Sequence, residues 1–181
     1  MIQIMFEYLA KLPNSVRHLK RGQYLFHLGD RVTSVFVVLT GEVHLIRHHK
    51  FGGSAILQRA LPSSILGEAS LFASSYHCDA IVQSDATVQI FSKAKFLDHL
   101  QKSPAFAICL AQYLAVEVRQ QRQRAEILSL KSVSEKLDAW LANNGALPPR
   151  GTIKNVAVEI GVTPEALYRE IATRNRRTKP A

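Results

Sequence analysis

The segment that decides the fold is TIKNVAVEIGVTPEALYREIATRN, residues 152–175. Its pattern predicts two short helices, because Gly161 allows a tight turn between two apolar runs. Thr163 is suited to the N-cap of the second helix, and Pro164 is suited to its first position. Two helices joined in this way form a helix-turn-helix, in which the second helix enters the major groove of DNA.

The second helix of this segment would present a polar face to a nucleic acid. Glu165 and Arg169 lie four residues apart and point away from Leu167 and Ile171, which would face the core. Arginine can bind O6 and N7 of guanine, and glutamate can accept a hydrogen bond from N4 of cytosine. A surface ion pair between Glu165 and Arg169 is the alternative. Contacts to phosphate or sugar are predicted for Thr163, Tyr168, Lys154 and Arg174. Such contacts position the protein on the DNA but do not read its sequence.

The charge of the chain favours a polyanionic partner. Lysine and arginine number 23 against 14 acidic residues, a formal charge of +9, which indicates nucleic acid before a membrane. No apolar run approaches the about 18 residues of a membrane-spanning helix, and no basic leader with a cleavage site opens the chain, so we expect a cytoplasmic protein. Cys78 and Cys109 form no CxxC pair, which predicts neither a disulfide framework nor a four-ligand metal site. No cofactor is expected.

The first half of the chain has the pattern of a small β-sandwich or barrel. Short runs rich in β-branched and aromatic residues alternate with glycines, at a spacing of about 8 to 12 residues. Strands are predicted at 24–26, 34–39, 43–46, 55–57, 79–82 and 87–91.

From Pro104 helix-forming residues dominate, and a long helix is predicted to about Lys131. A single narrow apolar stripe favours pairing with a second copy, although the helix could also lie along its own domain. The stripe consists of Leu110, Leu114, Val118, Gln121, Ala125 and Leu128. A further amphipathic helix is predicted at residues 132–143.

Together these segments resemble the CRP/FNR superfamily of bacterial transcription regulators, which includes the catabolite activator and the fumarate-nitrate regulator. The resemblance covers nearly the whole chain and depends on the order and spacing of its parts. They are GDRVTSVFVVLTGEVHLI at residues 29–46, LGEASLF at 66–72, the long helix after Pro104, and IGVTPEALYREIA at 160–172.

The resemblance implies an α+β fold in three parts. Residues 1–103 would form a cyclic-nucleotide-binding-type β-roll, a jelly roll that senses an unknown effector. Residues 104–131 would form a dimerisation helix, and residues 132–181 a helix-turn-helix domain. Such a protein is not an enzyme; it binds a pseudo-palindromic promoter site in double-stranded DNA as a homodimer, with RNA polymerase as a further partner and no membrane.

The same resemblance also marks two departures in the DNA-binding domain. Glu165 and Arg169 match the base-reading positions of the family, whereas Pro164 stands where the catabolite activator has an arginine. The β-hairpin wing that usually follows is truncated or missing, and the basic stretch 174–181 takes its place. A ligand- or partner-binding module with weakened, non-specific DNA binding is therefore the alternative function.

The effector pocket departs from the family as well. Gly67 and Glu68 match the pair that faces the ribose of a cyclic nucleotide, but Cys78 and Asp79 replace the Arg-Ser pair that holds its phosphate. Each charge-assisted hydrogen bond missing in this way is worth about 1.5 to 3 kcal/mol, and a carboxylate would repel the phosphate. The resemblance therefore predicts an effector other than cyclic AMP. Gln121, on the long helix, is the remaining candidate pocket residue.

Two sensing chemistries are alternatives at this site: haem ligation by His77 and Cys78, or thiol oxidation of Cys78. Adjacent strand residues point to opposite faces, and Asp79 works against a low thiol pKa. The leading interpretation is structural, with Cys78 as a small buried hydrophobe, Asp79 bonded to turn amides or an arginine, and His77 at the strand edge. The histidines expected to be solvated rather than to bind a catalytic metal are His44, His48 and His49.

Overall fold

The computed structural model describes residues 2–49 and 52–177. The chain divides into two compact units, Met1–Tyr113 and Leu114–Ala181. The first unit contains an antiparallel sheet and the second is helical, so the predicted α+β class is confirmed. The predicted domain boundaries at residues 103 and 131 stay predictions.

The first unit is built on one antiparallel sheet. Its described strands are β1 (Asn14–Leu19), β2 (Tyr24–Phe26), β3 (Ser34–His48), β4 (Ser54–Ala60), β5 (Ile65–Leu66) and β6 (Asp79–Ser92). They follow the order β1-β6-β3-β4, with β2 paired to β6 and β5 to β3. Helices α1 (Ile2–Leu9) and α2 (Lys93–Lys102) and the start of α3 (Pro104–Ser129) belong to the same unit.

The long central strands β3 and β6 are each continuous. The sequence pattern predicts two short strands in place of each, and that prediction is wrong. Gly41, at φ +82°, does not reverse the chain; it lies in an irregularity of the ladder, where the register shifts between Thr40 and Glu42. A Cβ at Gly41 would stand 2.4 Å from the carbonyl oxygen of Asp85 on β6, so the close approach of the two strands requires glycine.

The core of the β-roll is formed by apolar side chains that the strands bury against one another. Phe26 stacks on Tyr76 with ring centroids 3.8 Å apart, and the hydroxyl of Tyr76 donates to the carbonyl of Ser34 at 2.7 Å. Full burial of one such aromatic side chain contributes about 1.5 to 3 kcal/mol to the free energy of unfolding. A separate aromatic contact joins α2 to α3, where Phe96 and Phe106 meet edge to face at 5.2 Å.

The second unit contains the remainder of α3 with helices α4 (Val133–Asn144), α5 (Ile153–Glu159) and α6 (Pro164–Arg177). The amphipathic helix predicted at residues 132–143 is confirmed as α4. A capping box fixes its start: the amide of Glu135 donates to Oγ of Ser132 at 3.1 Å, and the amide of Ser132 donates to the carboxylate of Glu135 at 2.9 Å. The buried core consists of Ile127, Leu137, Trp140, Ile153, Val156, Ala157, Ile160 and Leu167.

Candidate nucleic-acid interface and effector site

A tight turn at Gly161 joins α5 to α6. Gly161 has φ +65°, and the amide of Val162 donates to the carbonyl of Ala157 at 2.9 Å, which ends α5 in the manner of a left-handed C-cap. A Cβ at Gly161 would approach Cδ2 of Leu128 to 2.6 Å, but the end of this exposed side chain can shift, so the positive φ is the main reason for glycine. The turn predicted from the sequence is therefore confirmed.

The start of α6 has the expected capping. The hydroxyl of Thr163 accepts a hydrogen bond from the amide of Ala166 at 3.2 Å, and Pro164 is the first residue of the helix. Leu167 is fully buried and Ile171 packs against the same core. These contacts hold one side of α6 inside the unit and leave the other side in solvent.

The exposed side of α6 carries the two predicted base-reading residues. Glu165 and Arg169 are both exposed, and Tyr168 between them is 44% exposed. Among the described residues, no ion pair within 4 Å joins Glu165 to Arg169, so the surface ion pair considered as an alternative is not observed. Lys154, in the first turn of α5, is also exposed. The roles of these residues in binding DNA stay predictions.

Arg174 differs from the other predicted contacts because the fold already holds its guanidinium. Its Nε donates to Glu170 at 2.8 Å, and its Nη1 donates to Asp138 at 2.5 Å. Its Nη2 donates to both the carbonyl and the hydroxyl oxygen of Ser134. Two carboxylates thus match the charge of Arg174, and this geometry argues against its predicted contact with phosphate. Residues 178–181 of the basic stretch lie outside the described residues.

In the β-roll, Gly67 and Glu68 follow strand β5. Gly67 has φ +85° and starts a short 3₁₀ turn, Glu68–Ser70. A Cβ at Gly67 would lie 3.2 Å from the carbonyl oxygen of Ser34 and 3.4 Å from the ring of Tyr76. The glycine therefore has a packing reason of its own, while Glu68 is half-buried.

Cys78 lies in the core of the β-roll and is 1% exposed. Burial raises the pKa of its thiol to about 11; the nearby charge of Arg47 opposes this rise, and Asp79 and Glu68 add to it. Thiol oxidation and thiolate ligation both need an accessible thiolate, which this environment disfavours. The interpretation of Cys78 as a small buried hydrophobe is confirmed.

Asp79 and His77 have structural partners. Oδ1 of Asp79 accepts a hydrogen bond from the amide of Leu28 at 3.0 Å and lies 3.3 Å from Nδ1 of His27. The predicted bond between Asp79 and a turn amide is therefore confirmed. Nδ1 of His77 lies 2.9 Å from the hydroxyl of Ser70, and burial together with the charge of Arg47 lowers the pKa of His77.

Arg47 is a residue of this site that the sequence pattern did not indicate. It lies on β3, and its Nη2 donates to the carbonyl of His77 at 2.6 Å. A guanidinium therefore does stand near Cys78, but it comes from the strand paired with β6, where Ile46 is opposite Asp79. No local pattern identifies Arg47, because its position depends on the register of two strands far apart in sequence.

One other predicted residue, His44, is placed differently from expectation. His44 is 6% exposed and its Nε2 lies beside a carboxylate oxygen of Glu42, so its expected solvation is wrong; His48 and His49 are exposed as predicted. Residues on both faces of β3 are buried around His44. The alternation of polar and apolar residues in the sequence does not indicate this. Gln121 is an exposed residue of α3 in the second unit, and its share in the pocket stays a prediction.

Within residues 2–49 and 52–177, no group of three or more histidine, cysteine or acidic side chains could hold a metal ion. Over the same residues, no helix is both long and apolar enough to span a membrane.

The fold and the exposed helix define a class: a cyclic-nucleotide-binding-type β-roll with a helix-turn-helix unit. Residues 16–103 match the model of the cyclic nucleotide-binding domain family. The transcriptional activator protein Anr of Pseudomonas aeruginosa is 26% identical over 138 residues, which is 76% of this chain and 57% of that protein. The nitrogen fixation regulation protein FixK of Bradyrhizobium diazoefficiens is 29% identical over 136 residues, 75% of this chain and 55% of that protein.

The structure of FixK2 from Bradyrhizobium japonicum superposes with a TM-score of 0.73 at 18% identity, covering 92% of this chain and 86% of that one. The match to the cyclic nucleotide-binding domain family and the similarity to Anr and FixK support membership of the CRP/FNR superfamily. It spans little more than half the length of the curated relatives it matches.

Proposed function

We propose that the chain is a sequence-specific DNA-binding transcription regulator whose β-roll responds to a signal not yet identified. The observation that carries the proposal is the exposed pair Glu165 and Arg169, held outward by a helix whose opposite side buries Leu167. Both side chains match edges of a G·C pair, since arginine reads guanine and glutamate accepts from cytosine. The names of the curated relatives, which are transcriptional activators and a regulator of nitrogen fixation, support the same function.

The regulator would act as a homodimer through α3. Val118 is 46% exposed and Leu128 is 42% exposed on this helix, and Leu114 is partly exposed. Apolar side chains repeated along one helix favour burial against a second copy. A two-fold dimer would place its recognition helices one turn of DNA apart, about 34 Å, and would therefore bind a pseudo-palindromic promoter site. RNA polymerase would be the partner of the bound dimer.

The effector is proposed to differ from cyclic AMP. The buried thiol of Cys78 and the carboxylate of Asp79, already bonded to the amide of Leu28, offer no cationic fork to a cyclic phosphate. The guanidinium near them, that of Arg47, already donates from Nη2 to the backbone carbonyl of His77. An effector would shift the DNA affinity only by binding one arrangement of the dimer better than another. The part played by Gly67 and Glu68 in binding such an effector belongs to the proposal.

The test is selection of bound duplexes from a random-sequence library by the full chain. We expect a shared motif with two half-sites whose centres lie about 10 base pairs apart. Arg169→Ala should relax the preference at one base pair of each half-site, at a cost of about 1 to 3 kcal/mol in discrimination. Arg176→Ala is the matched control, since Arg176 is an exposed arginine of the same helix beyond the base-reading end.

Two outcomes would contradict the proposal. One is binding that depends on salt but is indifferent to sequence, which would favour the ligand- or partner-binding module instead. The other is an Arg169→Ala variant that retains the ratio of selected to random affinity measured for the wild type, which would show that Arg169 does not read a base.

A further inference from the structure

Arg174 connects the recognition helix to α4. The two acceptors on α4 are Ser134, in its first turn, and Asp138, one turn further along. The acceptor on α6 is Glu170, one turn before Arg174. A guanidinium has five N–H donors, so these contacts, which involve all three of its nitrogens, use most of its capacity. The side chain is only 28% exposed.

The position of Arg174 along α6 agrees with this role. Leu167, Ile171 and Arg174 follow one another at intervals of four and three residues and therefore share one side of the helix. Leu167 and Ile171 pack in the core of the unit. Glu165 and Arg169 lie on the opposite side, where the exposed Arg176 continues their row. Arg174 thus extends the inward-facing side of the helix.

The three inward-facing side chains of α6 differ in how strictly they fix the rotation of the helix. Leu167 and Ile171 hold the helix against the core, but apolar contacts are non-directional and tolerate a rotation of the helix. The planar guanidinium of Arg174 binds carboxylates with a defined geometry. The hydrogen bonds from Arg174 to Asp138 and Glu170 also raise the pKa of Arg174, so the charged form is retained.

We propose that Arg174 is a positioning residue of the recognition helix: it sets the rotation of α6 on α4, and hence the direction of Glu165 and Arg169, and it does not contact phosphate. The effect of Arg174 on DNA binding rests on the proposed function of the chain. The structural half of the proposal, the coupling of Arg174 to Asp138, can be tested without DNA.

The first measurement is the salt dependence of binding to random duplex DNA. Removal of one side chain that binds phosphate reduces the slope of log K against log salt by about one. We expect this reduction for Arg176→Ala, the exposed matched control, and an unchanged slope for Arg174→Ala. A reduction of about one for Arg174→Ala would overturn the proposal.

The second measurement is the ratio of affinities for the selected site and random DNA. We expect Arg174→Ala to lower this ratio about fivefold or more, by misdirecting the base-reading pair. Arg174→Lys should lower it as well, because lysine keeps the charge but lacks the planar fork. Asp138→Asn is a milder variant that should also lower the ratio without weakening random binding. An unchanged ratio in both Arg174→Lys and Asp138→Asn would overturn the proposal.

The third measurement is thermal unfolding of Arg174→Ala, Asp138→Ala and the double variant. If the two residues are coupled, the midpoint of the double variant should lie close to that of Arg174→Ala alone. Additive shifts in midpoint would overturn the proposed coupling. If the wild type shows no preferred site, the proposed function fails, while the unfolding cycle and the salt slopes still decide the role of Arg174.

Discussion

The indole N–H of Trp140 donates to a carboxylate oxygen of Glu159 at 2.8 Å, which joins α4 to the last residue of α5. Glu159 stands at a helix C-terminus, where the helix dipole disfavours a negative charge. The hydrogen bond from Trp140 offsets that cost. The first helix of the helix-turn-helix is therefore tied to α4 by Trp140, as the second helix is by Arg174.

We expect Trp140→Phe to lower the free energy of unfolding by about 1 to 2 kcal/mol, because it removes a hydrogen bond to a charged acceptor and replaces the indole by a smaller ring. Urea denaturation of the full chain measures this change. Glu159→Gln is the control and should cost less, because its amide oxygen still accepts from the indole. A Trp140→Phe variant as stable as the wild type would show that the bond makes no net contribution.

Gly41→Ala should destabilise the β-roll by more than the cost of placing an alanine at a positive φ. Gly41 and Gly29 have similar φ angles, +82° and +89°, but only at Gly41 does a Cβ meet backbone atoms, at 2.4 Å from the oxygen of Asp85. Gly29→Ala should cost about 1 to 2 kcal/mol from the positive φ alone. Gly41→Ala should cost clearly more, because β3 and β6 must separate.

The measurement for this pair is again denaturant unfolding. The difference between the two variants isolates the close approach of the strands, since an alanine at Gly29 would meet nothing within 4 Å. Equal losses of stability would mean that the strands can separate at little cost.

Cys78 should be unreactive in the folded protein. With the thiol pKa raised to about 11, the fraction of thiolate at pH 8 is about one in a thousand, and the thiol is also buried. We expect iodoacetamide to modify Cys78 only when the chain unfolds. Cys78→Ala, which leaves Cys109 as the reporting thiol, identifies the site. Rapid alkylation of native Cys78 at pH 8 would contradict the buried placement.

The same pKa predicts how stability changes at high pH. Unfolding returns the thiol to its ordinary pKa of 9.0, so the unfolded chain loses this proton first as the pH rises. The contribution of the Cys78 thiol to the free energy of unfolding is therefore constant below about pH 9 and falls between about pH 9 and pH 11. Cys78→Ala should show a shallower decline over that range in unfolding measurements at fixed temperature. Parallel declines in wild type and variant would contradict the raised pKa.

Val118→Asp should disrupt the proposed dimer without unfolding the chain. Val118 is 46% exposed, so a charge there costs the isolated chain little, whereas burial of a carboxylate against a second copy is unfavourable. We expect a dimer for the wild type and a monomer for the variant by sedimentation velocity. Gln120→Asp, at an exposed residue on another side of α3, should remain dimeric. Dimeric Val118→Asp would exclude this face as the interface.

Local chemistry made the helix-turn-helix predictable. Gly161, Thr163 and Pro164 act within a few residues of themselves, through a positive φ, a side-chain cap and a fixed φ, and each is found in its expected place. The continuity of β3 through Gly41 was not predictable, because it depends on contact with Asp85 in another strand. Strand β1, almost entirely exposed, lacks the alternation that identifies a strand.

The sequence by itself determined the order of a domain of short β-strands, a long helix and a helix-turn-helix, because turns, caps and periodicity are encoded within short windows of the chain. Only the tertiary structure decided which charged side chains remain available for binding. Arg174 and Arg169 look alike in the sequence, and each has a glutamate four residues before it. Packing of α6 on α4 adds Asp138 and Ser134 beside Arg174, which also binds Glu170 of its own helix, and leaves Arg169 in solvent. The hydrogen bonds from Arg174 to Asp138 and Ser134 join residues that are 36 and 40 positions apart in the sequence. They depend on how the two helices pack, which local periodicity does not indicate.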